Sequence, residues 1–163
     1  MKIDRRAFFA LGGAATVAGV AFTLPGRQAD AQPGRFRFRL TDAQWRGRLS
    51  PAQYRVLRQA HTERAGSSPL DREHRRGTFS CAGCGQPLFS SAAKFESGTG
   101  WPSFFRPLPG AVATREDRSL LMARTEVLCA RCGGHLGHVF NDGPRPTGLR
   151  YCMNGVAMTF RPA

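Results

Sequence analysis

Five cysteines carry the first chemical signal in this chain of 163 residues. Four of them form two Cys-x-x-Cys pairs, Cys81 with Cys84 and Cys129 with Cys132. Each pair can present two sulfurs to one ion, and four thiolates complete the closed tetrahedral shell of a structural zinc site. Glycines beside both pairs permit the tight turns that such knuckles need. We therefore predict one zinc ion that stabilises the fold and leaves no open position for chemistry.

Two disulfides or two redox-active dithiols are the alternative interpretation of these pairs. Cysteines oxidise readily in exported proteins, and the N-terminal residues of this chain, described below, predict export. A thioredoxin-like dithiol lies between a strand and a helix, and the sequence around neither pair has that pattern. The matched, glycine-flanked pairs therefore favour zinc. A zinc knuckle alone is typical of a binding or structural module, so it does not yet imply catalysis.

The fifth cysteine, Cys152, has no cysteine left to pair with. A cation such as Arg150 lowers the pKa of a neighbouring thiol and makes it a better nucleophile. Two glycine-flanked histidines, His135 and His138, lie upstream, and an imidazole can donate or accept a proton near neutral pH. Residue types alone leave three interpretations open: a thiol enzyme, a buried structural cysteine with structural histidines, or a second metal site that adds Asp142 to the histidines.

Short segments separated by glycine and proline must position these side chains. Runs of this length and composition favour a small, twisted, mostly antiparallel sheet over a parallel α/β fold. The strands predicted after Gly77 are Thr78–Ser80, Pro87–Ser90, Leu120–Val127, Val139–Phe140 and Gly155–Phe160.

One strand and one helix are predicted before this sheet. Apolar residues alternate with arginines over Arg35–Leu40, which indicates a short strand. The helix begins with Ser50 as its cap and Pro51 at its first position. Tyr54, Leu57 and His61 follow at helical spacing, and Gly66 is a plausible stop, which gives a helix of about four turns.

The first 31 residues have the pattern of a secretory signal. A charged head with the adjacent pair Arg5-Arg6 precedes an uncharged run over Ala7–Leu24, and Ala29-Asp30-Ala31 supplies the small residues of a cleavage site. Paired arginines are typical of twin-arginine export in bacteria. An uncleaved membrane anchor is the alternative, since the run just reaches the roughly 18 residues that can span a bilayer. We predict a signal peptide over 1–31, a periplasmic mature chain from Gln32, an extension over 32–40 and one domain over 41–163.

The formal net charge is +13, and +11 remains once the predicted signal is removed. A balance this basic raises nucleic-acid binding as a function. The arginines are scattered, however, with a dense group only at 72–76, and export separates the chain from nucleic acid. We therefore expect a solvated basic surface, no nucleic-acid partner, no membrane contact after signal removal, and a monomer.

Four blocks of sequence resemble the signature of the B-type methionine sulfoxide reductases, in that family's order. They are Ser97–Phe104, Cys132–Phe140, Asp142–Pro144 and Arg150–Asn154, with smaller matches at Thr62–Arg64 and Arg124–Val127. The resemblance covers residues 41 to 161 and includes both cysteine pairs. It implies a mainly β fold of two antiparallel sheets with a few peripheral helices and a structural zinc site. It also implies reduction of methionine-R-sulfoxide, free or within proteins.

The resemblance further implies a role for each residue of the site. Cys152 attacks the sulfoxide sulfur as a thiolate and becomes a sulfenic acid. His135 and His138 hold and protonate the oxygen, with His138 as the acid. Trp101 receives the ε-methyl group of the substrate, and Phe140 completes that apolar wall.

Three supporting roles and one departure complete the resemblance. Arg150 keeps Cys152 ionised, while Asn154 and Asp142 orient the histidines or a bound water. Many members carry a second, resolving cysteine where this chain has Thr99, so we expect a thioredoxin-like protein or a small thiol to recycle the sulfenic acid. The main alternative is a zinc-ribbon-like module that binds nucleic acid or protein without catalysis. A relative that binds oxidised methionine without turnover is a third hypothesis, against which the free cysteine argues.

Overall fold

The computed structural model describes residues 36–118 and 123–163. The predicted signal and the start of the predicted extension lie outside the described residues. Two helices come first, α1 (Asp42–Arg48) and α2 (Pro51–Gln59). The described strands that follow are β1 (Gly77–Cys81), β2 (Pro87–Ser90), β3 (Lys94–Phe95), β4 (Ser103–Phe104), β5 (Val112–Asp117), β6 (Arg124–Cys129), β7 (His135–Phe140), β8 (Arg150–Met153) and β9 (Met158–Pro162). In these two ranges, no helix has the length and apolar character needed to cross a membrane.

The strands form two antiparallel sheets, which confirms the predicted fold class. Three strands pair in the order β2-β1-β9, and six pair in the order β3-β4-β8-β7-β6-β5. β9 comes last in the chain and pairs with β1 along its whole length, from Gly77 to Cys81. The chain therefore returns from the large sheet to complete the small one.

An aromatic core lies between the two sheets. Phe79 and Phe89 come from the small sheet, while Phe104 and Tyr151 come from the large one, and all four are buried. The rings of Phe89 and Phe104 stack with centroids 4.3 Å apart, and Phe79 meets the edge of Phe104 at 4.9 Å. Each large apolar side chain buried in this way contributes about 1.5–3 kcal/mol to folding. The core therefore holds the large sheet in place behind the site described below.

Capping boxes begin both helices. Ser50 caps α2 and Pro51 occupies its first position, as predicted. Thr41 caps α1, where its side chain accepts from the backbone of Gln44 and the Gln44 side chain returns to the backbone of Thr41. Such reciprocal pairs satisfy two amide groups that a helix start leaves without partners. α1 was not predicted, although Thr41-x-x-Gln44 carries this signal.

The helix predicted after Ser50 is α2, and the prediction that it continues to Gly66 is wrong. α2 ends at Gln59 because Ala60 adopts a left-handed backbone conformation, with φ of 55°. The amide of His61 then donates to the carbonyl of Arg55 over 3.1 Å. This closure directs the following residues away from the helix axis and toward the site on the large sheet.

The predicted strand over residues 35–40 is also wrong for the part that the structure describes. Residues 36–40 form no strand. Phe38 instead donates its amide to the carbonyl of Arg131 over 3.0 Å, and its ring packs 5.7 Å from that of Trp45. The alternating apolar residues of this segment therefore cover α1 and the second cysteine pair.

Most strands predicted after Gly77 are present, with different bounds. β2 matches its prediction, β1 is longer at both ends, and β7 begins earlier, at His135. β6 runs from Arg124 to Cys129, and Leu120 lies outside the described residues. Residues 155–157 form a 3-10 turn, so only Met158 onward enters β9. β3, β4, β5 and β8 were not predicted.

Candidate active site

Alternation along β8 places Cys152 on the face of the large sheet that points away from the core. Tyr151 and Met153 on either side of it are buried in the core, and successive side chains of a strand point to opposite faces. Cys152 is only partly buried. Its side chain lines a pocket together with that of His138.

Antiparallel pairing brings the reactive side chains into one row across the large sheet. Cys152 of β8 stands opposite Ser103 of β4 on one side and His138 of β7 on the other. His138 stands opposite Glu126 of β6, which stands opposite Arg115 of β5. Directly opposite residues have Cβ atoms about 4.5–5.5 Å apart. The row thus collects a thiol, an imidazole, a carboxylate and a guanidinium from distant parts of the chain.

Burial raises the pKa of Cys152 above its ordinary value. The hydroxyl of Thr99, 3.8 Å from Sγ, acts in the opposite direction, as do Arg150 and Ser103. Ser97 links the two hydroxyls, because its Oγ lies 2.8 Å from that of Thr99 and 2.7 Å from that of Ser103. Desolvation outweighs these groups, so the thiol predominates in this structure. Arg150 lowers the pKa of Cys152, the direction expected from the sequence, but its effect is smaller than that of burial.

Each histidine of the pair contacts a carboxylate from the β5–β6 hairpin. His138 Nε2 lies 2.9 Å from Asp117 Oδ2, and His135 Nδ1 lies 2.7 Å from Glu126 Oε1. Burial lowers the pKa of His138, the charges of Arg124 and His135 lower it further, and Asp117 acts in the opposite direction. The Nε2 of His135 is buried and has no hydrogen-bond partner among the described residues.

Two arginines hold these carboxylates in place across the same hairpin. Arg124 donates to Asp117 over 2.7 Å, and Arg115 Nε donates to Glu126 over 2.8 Å. In both cases the partners stand directly opposite each other in the strand pairing. Burial acts to raise the pKa of Glu126, but its bonds with His135 and Arg115 outweigh burial and lower it. Both histidines therefore rest against carboxylates that arginines position.

A cavity of about 150 Å³ lies over Cys152 and His138. The rings of Trp101 and Phe140 form the apolar part of its wall. The rest of the lining comes from Thr62, Arg124, Gly137 and Asn154. A concave site with an apolar wall and a few convergent polar groups is the usual form of a small-ligand pocket.

Glu63, which sequence reasoning did not assign to the site, anchors two of these lining residues. Its carbonyl accepts from Trp101 Nε1 over 3.2 Å, and its amide donates to Asn154 Oδ1 over 2.9 Å. Its carboxylate accepts from the backbone amides of Gly155 and Val156, at 2.5 and 3.0 Å. The indole and the amide of the pocket are therefore held by one residue from the segment after α2.

Asn154 and Asp142 were expected to orient the histidines, but their side chains form hydrogen bonds with other groups. Asn154 Nδ2 donates to the carbonyl of Leu136 over 3.0 Å, so this side chain braces the backbone. Asp142 is exposed, and its carboxylate accepts from Arg150 Nε and Nη2 at 2.9 and 2.7 Å. Arg150 also lies 4.5 Å from the centre of the Phe140 ring. Asp142 thus supports the pocket wall through Arg150.

Gly137 permits the close approach of β7 and β8 at the floor of the pocket. A Cβ atom at this position would collide with the backbone oxygen of Cys152. Any larger residue would therefore push the two strands apart between His138 and Cys152. This is the physical reason for a glycine between the two histidines.

The four remaining cysteines form one buried cluster away from this pocket. Their sulfurs lie within 4.8 Å of one another and could hold a metal ion. The distances are 3.7 Å from Cys81 to Cys132 and 3.5 Å from Cys84 to Cys129. A disulfide requires about 2.05 Å, so these thiols are free and the disulfide alternative is not what the structure shows. Among the described residues, His135, His138 and Asp142 do not form such a group.

The cluster connects the two sheets. Cys81 ends β1 of the small sheet, and Cys129 ends β6 of the large one. Gly133 has φ of 69° after the second pair, a left-handed turn that glycine adopts readily. Tetrahedral coordination at about 2.3 Å per sulfur places ligand sulfurs about 3.8 Å apart. The observed spacing fits a single ion of that kind.

These features define a class of protein: a small antiparallel β domain with a metal-type cysteine cluster and a separate thiol in a pocket. Comparison with known proteins gives the family. A family model described as the SelR domain matches residues 49–162. The peptide methionine sulfoxide reductase MsrB of Thiobacillus denitrificans is 58% identical over 123 residues, which cover 75% of this chain and 93% of that protein.

Relatives of the same name extend this similarity to distant organisms. MsrB of Leptospira interrogans is 55% identical over 122 residues, covering 74% of this chain and 93% of that protein. MsrB of Methanosarcina barkeri is 53% identical over 122 residues, covering 74% and 86%. The chain belongs to the MsrB family of SelR-domain proteins. The alternative of a zinc-ribbon-like binding module without catalysis is not favoured.

Proposed function

We propose that this protein reduces methionine-R-sulfoxide to methionine through the thiol of Cys152. The observation that carries the proposal is the cross-strand row that places Cys152 beside His138 at the floor of a small, partly apolar pocket. A nucleophile within reach of a proton donor is the minimal arrangement for such chemistry. Membership of the MsrB family supports the same reaction.

The atoms and electrons of the reaction balance between the substrate and the side chains of the site. The Cys152 sulfur attacks the sulfoxide sulfur, and the oxygen then moves to Cys152. The transient S–S bond and the S–O bond of the substrate both break as the S–O bond of the sulfenic acid forms. His138 supplies the proton that the oxygen needs as negative charge develops on it. His135 does not line the pocket, but its ring lies 5.5 Å from that of His138 and its Nε2 has no partner among the described residues, so we assign to it a second contact to that oxygen behind His138. Methionine leaves, and the cysteine has been oxidised by two electrons.

The apolar wall selects and orients the substrate. Trp101 and Phe140 form a surface on which the ε-methyl group of methionine sulfoxide packs. Because the sulfoxide sulfur is chiral, a methyl group held on this wall directs the oxygen of only one epimer toward the histidines. We assign the R epimer to this arrangement.

Recycling requires a thiol from outside the chain. The four clustered cysteines are buried and grouped for a metal, and Thr99 stands next to Cys152 where a resolving cysteine would be useful. One external thiol forms a mixed disulfide with release of water, and a second thiol releases Cys152. A thioredoxin-like protein or a small thiol can serve as this donor.

Zinc is the metal we propose for the four-cysteine cluster. Four thiolates at the observed spacing suit tetrahedral Zn²⁺, which would join the sheets and supply no catalytic group. Cys81, Cys84, Cys129 and Cys132 would hold it.

We further propose that residues 1–31 direct twin-arginine export and are removed, which leaves a monomer in the periplasm. The support is the pair Arg5-Arg6 and the cleavage pattern Ala29-Asp30-Ala31. N-terminal sequencing of the periplasmic protein tests this proposal. A first residue at or near Gln32 is expected, and a mature protein that retains Met1 would contradict cleavage.

Reduction of the separate sulfoxide epimers tests the activity. With a small dithiol as reductant, the protein should convert the R epimer of methionine sulfoxide and leave the S epimer unchanged. His138→Ala should lower kcat by about 10²–10⁴-fold, whereas Trp101→Ala should chiefly raise KM. Conversion of both epimers at equal rates would contradict the proposed orientation, and conversion of neither would remove the proposed function.

A further inference from the structure

The reaction pocket is too small to enclose a peptide. Its volume is about 150 Å³, whereas sites that enclose a drug-sized ligand measure about 300–1,000 Å³. It can enclose the side chain of one residue. When the oxidised methionine belongs to a polypeptide, the residues next to it must therefore lie on the surface around the pocket.

A larger groove meets the pocket at Thr62. It has a volume of about 610 Å³ and lies between α2, residues 61–70 and residues 155–159. Thr62 is exposed and lines both cavities. Asn154 lines the pocket, and the next residue, Gly155, lines the groove. A chain segment that leaves the pocket on this side passes over Thr62 into the groove.

The wall between the two cavities is held together by hydrogen bonds. Glu63 donates its amide to Asn154 on the pocket side, and its carboxylate accepts from Gly155 and Val156 on the groove side. Glu63 thereby ties the segment after α2 to residues 154–156, which follow β8. A pinned wall keeps the groove open in the absence of a ligand, which lowers the entropy cost of binding.

The lining of the groove combines an apolar floor with a basic rim. Val56 and Met158 are buried in the floor. Arg55, His61 and Arg64 are exposed at the rim. Among the described residues that line the groove, the one carboxylate is that of Glu63, and backbone amides already occupy it. The surface open to a ligand is therefore positively charged.

We propose that this groove binds the polypeptide segment adjacent to the oxidised methionine and that it favours an acidic segment. The proposal rests on the proposed function, because it concerns the substrate of the same pocket. Complementary charges on two molecules accelerate their association and favour one partner over another, and salt weakens this attraction. Oxidised methionines with aspartate or glutamate nearby are then reduced faster than those in neutral or basic sequences.

Matched peptides and matched charge reversals test the proposal. The peptides carry methionine-R-sulfoxide at the centre, with three aspartates or three asparagines on one side. The groove variant combines Arg55→Glu with Arg64→Glu. The control combines Arg37→Glu with Arg106→Glu, two exposed arginines that line neither cavity. Free methionine-R-sulfoxide, which is too short to reach the groove, is the internal reference.

At low ionic strength, the wild type should reduce the aspartate peptide with a higher kcat/KM than the asparagine peptide. The groove variant should lose about five- to tenfold in kcat/KM on the aspartate peptide, as expected for two surface charges reversed. Its activity on the free amino acid should be unchanged, and the control variant should lose less than about twofold on any substrate. Binding of the same peptides to Cys152→Ser, followed by fluorescence anisotropy, should show the same order.

Several results would overturn the proposal. Equal losses of kcat/KM in the groove and control variants would show that the peptide responds to the net charge of the whole chain and not to the groove. A loss of kcat/KM on the free amino acid would show that the groove variant has damaged the pocket. A wild-type dimer that the groove variant dissociates in sedimentation would show that a second copy occupies the groove. A wild type that reduces the free amino acid but does not distinguish the peptides removes this inference alone. A wild type that does not reduce the free amino acid removes the proposed function itself.

Discussion

At the scale of single residues, the pKa values of the two reactive groups move in directions that favour their uncharged forms. Burial raises the pKa of Cys152 and lowers that of His138. At neutral pH the dominant state is therefore a thiol beside a neutral imidazole. The reactive state, a thiolate beside an imidazolium, is reached by moving one proton from Cys152 to His138. Its population falls about tenfold for each unit by which the two pKa values move further apart.

Asp117 limits that separation, so Asp117→Asn should lower the rate. Its carboxylate lies 2.9 Å from His138 Nε2 and raises the pKa of that histidine, against burial and the charges of Arg124 and His135. Without it the pKa of His138 should fall, and kcat at pH 7 should fall about tenfold for each unit of that decrease. The acid limb of the kcat profile should move to lower pH. Histidine titration by NMR measures the pKa of His138 independently of activity.

Glu116→Gln is the matched control for this change. Glu116 neighbours Asp117 in β5, but it is exposed and pairs with Arg118. Its removal should leave the histidine titration and kcat as in the wild type. Asp117→Glu should restore part of the lost rate. A kcat for Asp117→Asn equal to that of the wild type would show that Asp117 does not tune His138.

Single residues also show which parts of the site a sequence can predict. Cys152 could be singled out as the unpaired thiol because the two Cys-x-x-Cys pairs account for the other four cysteines, and that pairing is local; its role as the nucleophile was implied only by the resemblance to the family. Asp117 and Glu126 could not, because their partners depend on how β5, β6 and β7 align. Glu63 could not either, because its role depends on the side chain of Asn154 and the backbone amides of Gly155 and Val156. Neither the register of paired strands nor a contact with a distant part of the chain leaves a pattern in the local sequence.

At the scale of elements, the loop that joins β3 to β4 brings Thr99 against the reactive thiol. The Thr99 hydroxyl lies 3.8 Å from Cys152 Sγ and 2.8 Å from Ser97 Oγ. Because β4 pairs directly with β8, Ser103 opposite Cys152, the loop end is held close to the thiol. A cysteine in this loop would therefore be close enough to condense with the sulfenic acid.

Thr99→Cys should install an internal recycling step. Condensation of the two sulfurs releases water and forms a disulfide, provided that the Cα atoms lie within about 7 Å. After one equivalent of substrate without reductant, the intact mass should be two units lower and a sulfenic-acid trap should give no adduct. Thr99→Ser is the control and should give the adduct. A trapped adduct in Thr99→Cys as well would show that the loop does not approach as the structure indicates.

The elements differ in how far their sequences determine them. Ser50-Pro51 predicted the start of α2 because a cap acts within a few residues. Its end could not be predicted, because it depends on a left-handed Ala60, a conformation that glycine or asparagine usually adopts. β8 was missed because it has four residues, of which only Tyr151 and Met153 are buried. A strand this short exists because β4 and β7 pair with it.

At the scale of the whole molecule, the four-cysteine cluster joins the two sheets in addition to the apolar core. The turn after β1 and the turn after β6 meet there. The free energy of metal binding at such sites contributes directly to folding. Loss of the metal should therefore destabilise both sheets at once. The reactivity of Cys152 should persist only as long as the protein stays folded.

Cys81→Ser should lose the metal and thermal stability together. Elemental analysis should find one zinc per chain in the wild type and less than that in the variant, and circular dichroism should show a lower Tm. Cys152→Ser is the matched control, since it removes a thiol outside the cluster and should keep both zinc and Tm. A Cys81→Ser protein with a full zinc content and an unchanged Tm would contradict the structural role of the cluster.

A single turnover without reductant tests the central claim most directly. The protein is mixed with one equivalent of methionine-R-sulfoxide and a sulfenic-acid trap, and the products are measured by intact and peptide mass. One methionine should form per chain, with one trap adduct on Cys152 and none on the four clustered cysteines. Methionine formed with a loss of two mass units and no adduct would contradict this account. The oxidising equivalent would then reside in a disulfide drawn from the cluster, and the cluster could not be purely structural.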